Sequence, residues 1–198
     1  MAWLYIDCVG GISGDMMLGG LLDLGVSPDI LREQLALLDV SGYQLHIHRK
    51  MVGVIDTMKV DVLLDDVESS KKRKKPTTLD THKENHDHNE GHSHHHHDHN
   101  EGHSHRRHSD IRDMIQVSAL SSGTKKRALA VFQKLAEAEA KVHGMSPEDV
   151  AFHEVGAVDS IVDIVGTAIA LDLLGIDKIV CSAIPLGSGF VTCQHGYL

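Results

Sequence analysis

The chain has 198 residues, of which 41% are hydrophobic, so it is long enough to bury one ordinary globular core. Its formal net charge of -9 at pH 7 disfavours nucleic acid or an anionic membrane as a partner and suits a cation. No basic segment precedes an apolar run at the N-terminus, and no apolar run reaches the roughly 18 residues of a membrane span, so we expect neither a signal peptide nor a membrane helix.

The N-terminal lobe, residues 1–66, is predicted to contain a strand, two helices and a β-hairpin. Glycine and Ser-Pro signals mark the helix ends, and alternating apolar residues mark the hairpin strands. The predicted elements are a buried strand from Trp3 to Cys8, a helix through Met16 to Leu22 closed by Gly25, a helix opened by Ser27 and Pro28, and strands from Tyr43 to Met51 and from Val54 to Leu64 that join near Gly53.

Residues 67–109 differ in composition from both ends of the chain. Almost nothing in this segment is apolar, and a basic run is followed by a tract of histidines mixed with Asp, Glu and Asn. Such a segment cannot bury enough apolar surface to offset its ordering entropy, so we predict a disordered insert. Neutral imidazoles at high local concentration bind nickel, copper and zinc, which indicates metal buffering or delivery. The densest group is His94, His95, His96 and His97, and an expression tag is the alternative interpretation.

Residues 110–198 again alternate helix and strand and are expected to complete the same domain as residues 1–66. The predicted elements are a short helix capped by Asp110, a helix from Lys125 to His143, a helix start at Ser146 and Pro147, a mostly apolar helix from Asp159 to Leu174 closed by Gly175, and a strand from Lys178 to Ile184. The predicted fold class is therefore α/β, with a mixed α+β arrangement left open. It consists of a small strand-and-helix core interrupted by the histidine-rich insert.

The glycine-rich loop between the first strand and the first helix is the first candidate site. Glycines after a strand let the backbone approach a ligand, and amides at a helix N-terminus favour an anion, so Gly11, Ser13 and Gly14 are candidate cofactor-binding residues. The loop lacks the residues of a P-loop and the spacing of a dinucleotide fingerprint. Asp7 and Asp15 are instead candidate metal ligands. The simpler interpretation is a tight turn in which Asp15 stabilises the first helical turn.

The segment from Phe152 to Asp163 is the second candidate site. Asp159 and Asp163 share a narrow polar stripe on an otherwise apolar helix, so their carboxylates should be paired, protonated or bound to a metal. His153 and Glu154 add the mixed donor set that suits nickel, manganese or zinc. The same residues could act as acid and base, because a histidine beside a carboxylate titrates near neutrality. The alternative is structural: Asp159 caps the helix and Asp163 pairs with a buried lysine or arginine.

The third candidate is the pair Cys193 and His195 near the C-terminus. Two ligands do not make a metal site, so a structural role is the better interpretation. Cys8 and Cys181 complete a sparse, odd-numbered set of cysteines, which is typical of reduced thiols in a cytoplasm rather than of a disulfide framework.

Together these motifs resemble the LarC family of nickel-insertion proteins. The resemblance is carried by Asp7 and Cys8 with the run from Gly11 to Met16, by Leu21 to Gly25, by Phe152 to Asp163, and by His195 and Gly196. It implies delivery of nickel to pyridinium-3,5-bisthiocarboxylic acid mononucleotide, which gives the nickel-pincer cofactor of lactate racemase. Members of the family are CTP-dependent nickel chelatases that also use manganese, and some carry a similar histidine-rich insert.

The resemblance has two departures. Val9 and Gly10 stand where the family is expected to carry an aromatic residue and a small hydroxyl residue. The family also runs on into a proline-rich segment and a C-terminal domain associated with the nucleotide, so this chain is expected to be the N-terminal component. CTP and manganese are then expected to bind to the C-terminal LarC portion. The expected location is the cytoplasm, and a homo-oligomer is left open.

Two classes of function follow. The first is a nickel chelatase component, in which the histidine tract supplies the ion to the site. The nickel-handling residues would be His153, Glu154, Asp159 and Asp163, flanked by Asp7 and Asp15. The second is a non-catalytic nickel or zinc storage protein that acts only through the tract.

Overall fold

The computed structural model describes residues 1–65, 106–152 and 155–190, together with the backbone at 192–193 and 196–197. Helices and strands alternate along these residues, and the strands pair both in parallel and in antiparallel, which confirms the predicted mixed α/β class. The elements in chain order are β1 (Ala2–Ile6), α1 (Gly14–Asp23), α2 (Pro28–Leu35), β2 (Tyr43–Val52), β3 (Ile55–Leu64), α3 (His108–Val117), α4 (Ser122–His143), a short 3-10 turn (Pro147–Asp149), α5 (Val158–Leu173), β4 (Ile176–Cys181), β5 (Thr192–Cys193) and β6 (Gly196–Tyr197).

The strands form a parallel pair and two antiparallel pairs within the described residues. β1 runs parallel to β4, with Leu4 opposite Ile179 and Ile6 opposite Cys181. β2 and β3 form a hairpin that pairs along its whole length and turns at Gly53, where the φ of 61° favours glycine. β5 and β6 form a short antiparallel pair. The described residues on either side of the histidine-rich segment make one compact unit.

The first helix after the histidine-rich segment begins earlier than predicted. Asp110 is not the cap of α3; Arg107 occupies that position, and the Asp110 carboxylate accepts a hydrogen bond from the Arg107 backbone N–H at 3.2 Å. His108, which the sequence assigned to the insert, is the first residue of the helix. It is buried and its ring packs edge-on against Phe152, with centroids 6.1 Å apart. Burial against an aromatic ring therefore draws this histidine into the folded unit.

Helix α5 lies at the centre of the core. It packs against α1, α2 and α4, and its apolar face is formed by Ile161, Val162, Val165 and Ile169, each at most 1% exposed. The absence of a side chain at Gly166 gives room for α1, because a Cβ there would lie 3.3 Å from Leu18 Cδ2. Asp163, in the second turn of α5, lies against Gly14 at the start of α1.

Within the described part of the chain, no helix combines the length and the apolar character needed to cross a membrane.

Candidate metal centre

The glycine-rich loop after β1 is held at its start by backbone contacts. The Cys8 N–H donates to Ser182 Oγ at 2.8 Å, and the Cys8 carbonyl accepts from the Gly11 N–H at 3.1 Å. Gly10 and Gly11 have φ values of 83° and 98°, a backbone conformation that other residues rarely adopt. The turn itself thus accounts for Gly11, and its predicted contact with a cofactor stays a prediction.

Gly14 opens α1 and lies directly against Asp163 of α5. A Cβ at Gly14 would be 2.6 Å from Asp163 Oδ2 and 2.7 Å from Asp163 Cβ, closer than real side-chain contacts. The missing side chain therefore allows the carboxylate of α5 to reach the first turn of α1. Gly14 was predicted to bind a cofactor; its contact in this structure is with a candidate metal ligand.

Asp163 is a half-buried carboxylate, and one of its two oxygens has no hydrogen-bond partner among the described residues. Its Oδ1 atom is buried and makes no hydrogen bond within the described residues. The pKa of Asp163 is raised to about 6, first by burial and then by the negative charges of Asp15 and Asp159, while the ammonium of Lys59 has a smaller, opposing effect. The charges of Asp15 and Asp159 thus act on Asp163 at the meeting point of α1 and α5, which makes this an anionic cluster.

Lys59 of β3 is the cation that acts on this cluster within the described residues, and the sequence analysis missed it. Its ammonium forms an ion pair with Asp15 Oδ2, while the Ser13 hydroxyl donates to Asp15 Oδ1. The hydrogen bond from Lys59 is the main reason that the pKa of Asp15 is lowered, and the same bond raises the pKa of Lys59. Lys59 Nζ also lies 3.4 Å from Asp61 Oδ1. No local sequence pattern around Lys59 indicates a partner on α1.

The structural alternative for the α5 carboxylates is not what the structure shows. Ala157 holds the N-cap position of α5, so Asp159 lies within the first turn, where its Oδ1 accepts from the Ser160 N–H at 2.7 Å. No lysine or arginine of the described residues forms an ion pair with Asp163. The remaining interpretations of the predicted polar stripe are a protonated acid or a metal ligand.

The charge of Asp7 does not act on the carboxylate cluster. Asp7 is exposed at the end of β1 and is not among the charges that shift the pKa of Asp163. It lines a different groove, of about 230 Å³, with Tyr5, Ile12 and Met16. Its predicted role as a metal ligand beside Asp15 stays a prediction.

Several predicted ligands lie outside the described residues: His94, His95, His96, His97, His153, Glu154 and His195. The segment just before His153 pairs with the residues that follow the histidine tract in sequence. Phe152 N–H donates to the Arg106 carbonyl at 3.2 Å, and Arg107 pairs with Ala151 in an isolated antiparallel bridge. The chain that follows the histidine tract therefore re-enters the fold alongside the residues that lead to His153.

A groove of about 440 Å³ lies between α1 and the hairpin, next to Asp15 and Lys59. Its other lining residues are mostly apolar and include Met16, Val52 and Met58. Gly19 permits the close contact at its floor, since a Cβ there would be 2.3 Å from the Met58 carbonyl oxygen. A concave, mostly apolar surface with a few charged groups, here Asp15, Asp23 and Lys59, is the usual form of a small-molecule site.

Comparison with known proteins gives a consistent result. A family model described as "Nickel insertion protein" matches residues 4–198. The chain is 43% identical over its whole length to the pyridinium-3,5-bisthiocarboxylic acid mononucleotide nickel insertion protein of Acetivibrio thermocellus, of which it covers 42%. It is 45% identical over 99% of its length to the protein of that name from Geobacillus kaustophilus, again covering 42%. The corresponding protein of Clostridium acetobutylicum is 47% identical over the whole chain, which covers 47% of it. The chain thus spans less than half the length of these relatives, and no solved structure matches it.

Proposed function

Since the chain belongs to the nickel insertion protein family, we propose that it handles nickel for insertion into pyridinium-3,5-bisthiocarboxylic acid mononucleotide. It acts as the N-terminal component of a CTP-dependent chelatase that forms the nickel-pincer cofactor of lactate racemase, in the cytoplasm. The observation that carries the proposal is the half-buried carboxylate of Asp163, whose Oδ1 has no hydrogen-bond partner in the described part of the chain, beside two other carboxylates. A metal ion is the partner that such a group lacks.

Nickel is held by Asp163 with Asp15 and Asp159, and His153 and Glu154 complete the donor set. Carboxylate oxygens are hard donors, whereas nickel is a borderline ion that also accepts softer sulfur ligands. An ion held mainly by oxygen therefore passes readily to the thiocarboxylate sulfurs of the mononucleotide. The catalytic role of these residues is to hold the ion and to release it.

Before a metal ion binds, the ammonium of Lys59 compensates the negative charge of Asp15. This ammonium is paired with Asp15, so an arriving divalent ion competes with it for that carboxylate. The exchange replaces one positive charge by two next to Asp163, which favours the ionised form of this group. Lys59 thereby keeps Asp15 ionised and ready for the metal.

The mononucleotide is placed in the groove between α1 and the hairpin. The apolar walls formed by Met16, Val52 and Met58 suit a flat pyridinium ring. Lys59 at the end of the groove supplies a positive charge for a thiocarboxylate or phosphate group. The same end adjoins Asp15, so the sulfur ligands would meet the metal there.

The remaining parts of the reaction are assigned to segments beyond this centre. The histidine tract, with His94, His95, His96 and His97 as its densest group, collects nickel and raises its local concentration. Arg106 and Arg107, which follow the tract in sequence, pair with Phe152 and Ala151, the residues just before His153, and this supports the delivery role. CTP and manganese bind to the C-terminal LarC portion, consistent with the chain spanning 42% of the A. thermocellus relative.

The test is single-turnover transfer of nickel to the mononucleotide, with CTP, manganese and the C-terminal portion of a relative supplied in trans. Asp163→Asn should slow transfer by about 100-fold, the upper part of the range for disturbed metal shells. Asp172→Asn, which alters a carboxylate of the same helix that is paired with Arg127, should leave transfer nearly unchanged. Full activity of Asp163→Asn would refute the site, and no transfer by the wild type under these conditions would refute the function.

Storage of nickel or zinc by the tract alone is the second candidate, favoured by the density of histidines. The two functions differ once the histidines between 82 and 105 are replaced by asparagine. A storage protein would then bind no metal tightly, whereas a chelatase component would keep a stoichiometric site that depends on Asp163.

A further inference from the structure

We propose that His46, His48 and Asp61 form a divalent transition-metal site on the β2–β3 hairpin, separate from the carboxylate cluster around Asp163. Within the described residues, these three side chains are the set of histidine, cysteine or acidic groups whose donor atoms all lie within 4.8 Å of one another. Two imidazoles and a carboxylate are a donor set that suits nickel, zinc, cobalt or iron.

The hairpin holds these residues in place through its backbone register. His46 lies directly opposite Asp61, and His48 lies two residues further along the same strand, opposite Lys59. Side chains alternate along a strand, so all four project from the face opposite to the one that packs on the core. The core face carries Leu45, Ile47, Val60 and Val62. A paired hairpin therefore presents the three donors together before any metal arrives, as a preorganised site requires.

The side-chain geometry is closer to that of metal ligands than to that of a hydrogen bond. His48 Nδ1 is buried and has no hydrogen-bond partner in the described residues. It lies 3.8 Å from Asp61 Oδ2, beyond hydrogen-bonding distance. Ligand atoms that each lie about 2.1 Å from one metal ion are about 3.0 to 3.4 Å apart in tetrahedral or octahedral geometry. A contraction of a few tenths of an ångström would thus let both atoms bind one ion.

The neighbouring groups also fit a metal ligand role for Asp61. Its two oxygens are divided between partners, since Oδ1 lies 3.4 Å from Lys59 Nζ while Oδ2 points to His48. A lysine on the second oxygen orients a ligating carboxylate in the way that outer-shell partners commonly do. The ring centroids of His46 and His48 are 4.7 Å apart, and the ring planes make an angle of 30°. Both rings can therefore turn towards one ion.

Three protein ligands leave positions open on the ion, which favours exchange over permanent storage. Lys59 contacts both Asp61 and Asp15, so the hairpin site adjoins the candidate metal centre. A role as a stopping point for nickel on its way to Asp163 rests on the proposed function. The binding of metal by the hairpin itself is independent of the proposed function.

The experiment uses the full-length chain with the histidines between 82 and 105 replaced by asparagine, so that the tract does not dominate binding. Ni²⁺ is titrated by calorimetry, and its paramagnetism is followed in NMR spectra of the histidine side chains. The imidazole signals of His46 and His48 should broaden first. His46→Asn, His48→Asn and Asp61→Asn should each weaken this site by at least about tenfold. His143→Asn, which alters a histidine 3.5 Å from Glu139 on α4, is the matched control and should have no effect.

Two outcomes would overturn the inference: no early broadening at His46 and His48, or unchanged affinity in the three hairpin variants. Thermal melts check that each variant folds, and His48→Gln replaces His48→Asn if the latter does not. Asp163→Asn separates this inference from the proposed function, because it should leave the broadening at His46 and His48 intact. Loss of metal binding in Asp163→Asn alone would refute the hairpin site while supporting the carboxylate centre. Loss of metal binding in the hairpin variants alone would support the hairpin site and refute the carboxylate centre.

Discussion

Replacing Asp163 by asparagine should stabilise the metal-free protein at neutral pH. The wild-type carboxylate is ionised there although burial, Asp15 and Asp159 all disfavour its charge. Its pKa rises from 3.8 to about 6, and one pKa unit corresponds to about 1.4 kcal/mol. The upper limit on the gain is therefore about 3 kcal/mol. Because the group is only half-buried, solvent screening reduces this to about 1 to 2 kcal/mol.

The pH dependence of this effect has a definite sign. A carboxyl group whose pKa is raised on folding stabilises the folded state below its unfolded value, here 3.8, and this contribution is lost as pH rises through about 6. Asparagine cannot ionise, so the variant should not show that loss. The stability difference between Asp163→Asn and the wild type should be close to zero near pH 4 and should reach its full size above about pH 6.5.

The assay is urea denaturation of both proteins, without metal, at intervals between pH 4.5 and pH 8. Asp172→Asn is the matched control, because Asp172 lies on the same helix but accepts a hydrogen bond from Arg127 at 2.7 Å, and its pKa is lowered. That variant should lose about 1 kcal/mol at neutral pH. Destabilisation of Asp163→Asn by several kcal/mol would show that Asp163 compensates a buried cation and would refute the reasoning.

Three further predictions test the surroundings of this carboxylate. Gly14→Ala should lower the free energy of unfolding, measured by urea denaturation, by about 2 kcal/mol, because the new Cβ would lie 2.6 Å from Asp163 Oδ2. Gly20→Ala on the same helix should be neutral or stabilising, because nothing lies within 4 Å of a Cβ there. Equal effects of the two substitutions would contradict the packing argument. Lys59→Gln should lower the dissociation constant for nickel by about tenfold in calorimetry, since the ion no longer competes for Asp15, and weaker binding would contradict the role of Lys59 as a stand-in cation. Replacing the histidines between 82 and 105 by asparagine should sharply lower the nickel bound per chain in equilibrium dialysis while changing Tm by less than about 2 °C, and a lost cooperative transition would contradict a disordered insert.

Features that depend on local sequence were predicted well. The hairpin is recognisable from alternation and from Gly53, and both observed strands agree with the prediction to within one residue at each end. The bounds of α5 also agree to within one residue, because its apolar run ends at Gly175, where φ is 62°. In each case the signal lies within a few residues of the feature that it determines.

Features that depend on distant contacts were not predicted. The pairing of Lys59 with Asp15 joins residues far apart in sequence, and neither residue is unusual in its own segment. Gly14 was assigned to ligand binding because glycine after a strand is common in such sites, while its neighbour in the fold is Asp163. His108 was grouped with the tract by composition, although it is buried beside Phe152. Composition and periodicity carry no information about which side chains meet across the core.

The balance of charge at the candidate centre explains why a divalent ion suits it. Above pH 6.5, Asp15, Asp159 and Asp163 are three negative charges, and among the described residues Lys59 is the one positive charge that acts on Asp163. Two negative charges are therefore uncompensated in a partly buried place, and they add to the effect of burial, which is the main reason that the pKa of Asp163 is raised. Ni²⁺ brings two positive charges, so it lowers the uncompensated charge even where it displaces Lys59 from Asp15, and it offers coordination positions to Asp163 Oδ1, which has no hydrogen-bond partner among the described residues. The same imbalance keeps the site destabilised until the ion arrives, so metal binding and local stability are coupled.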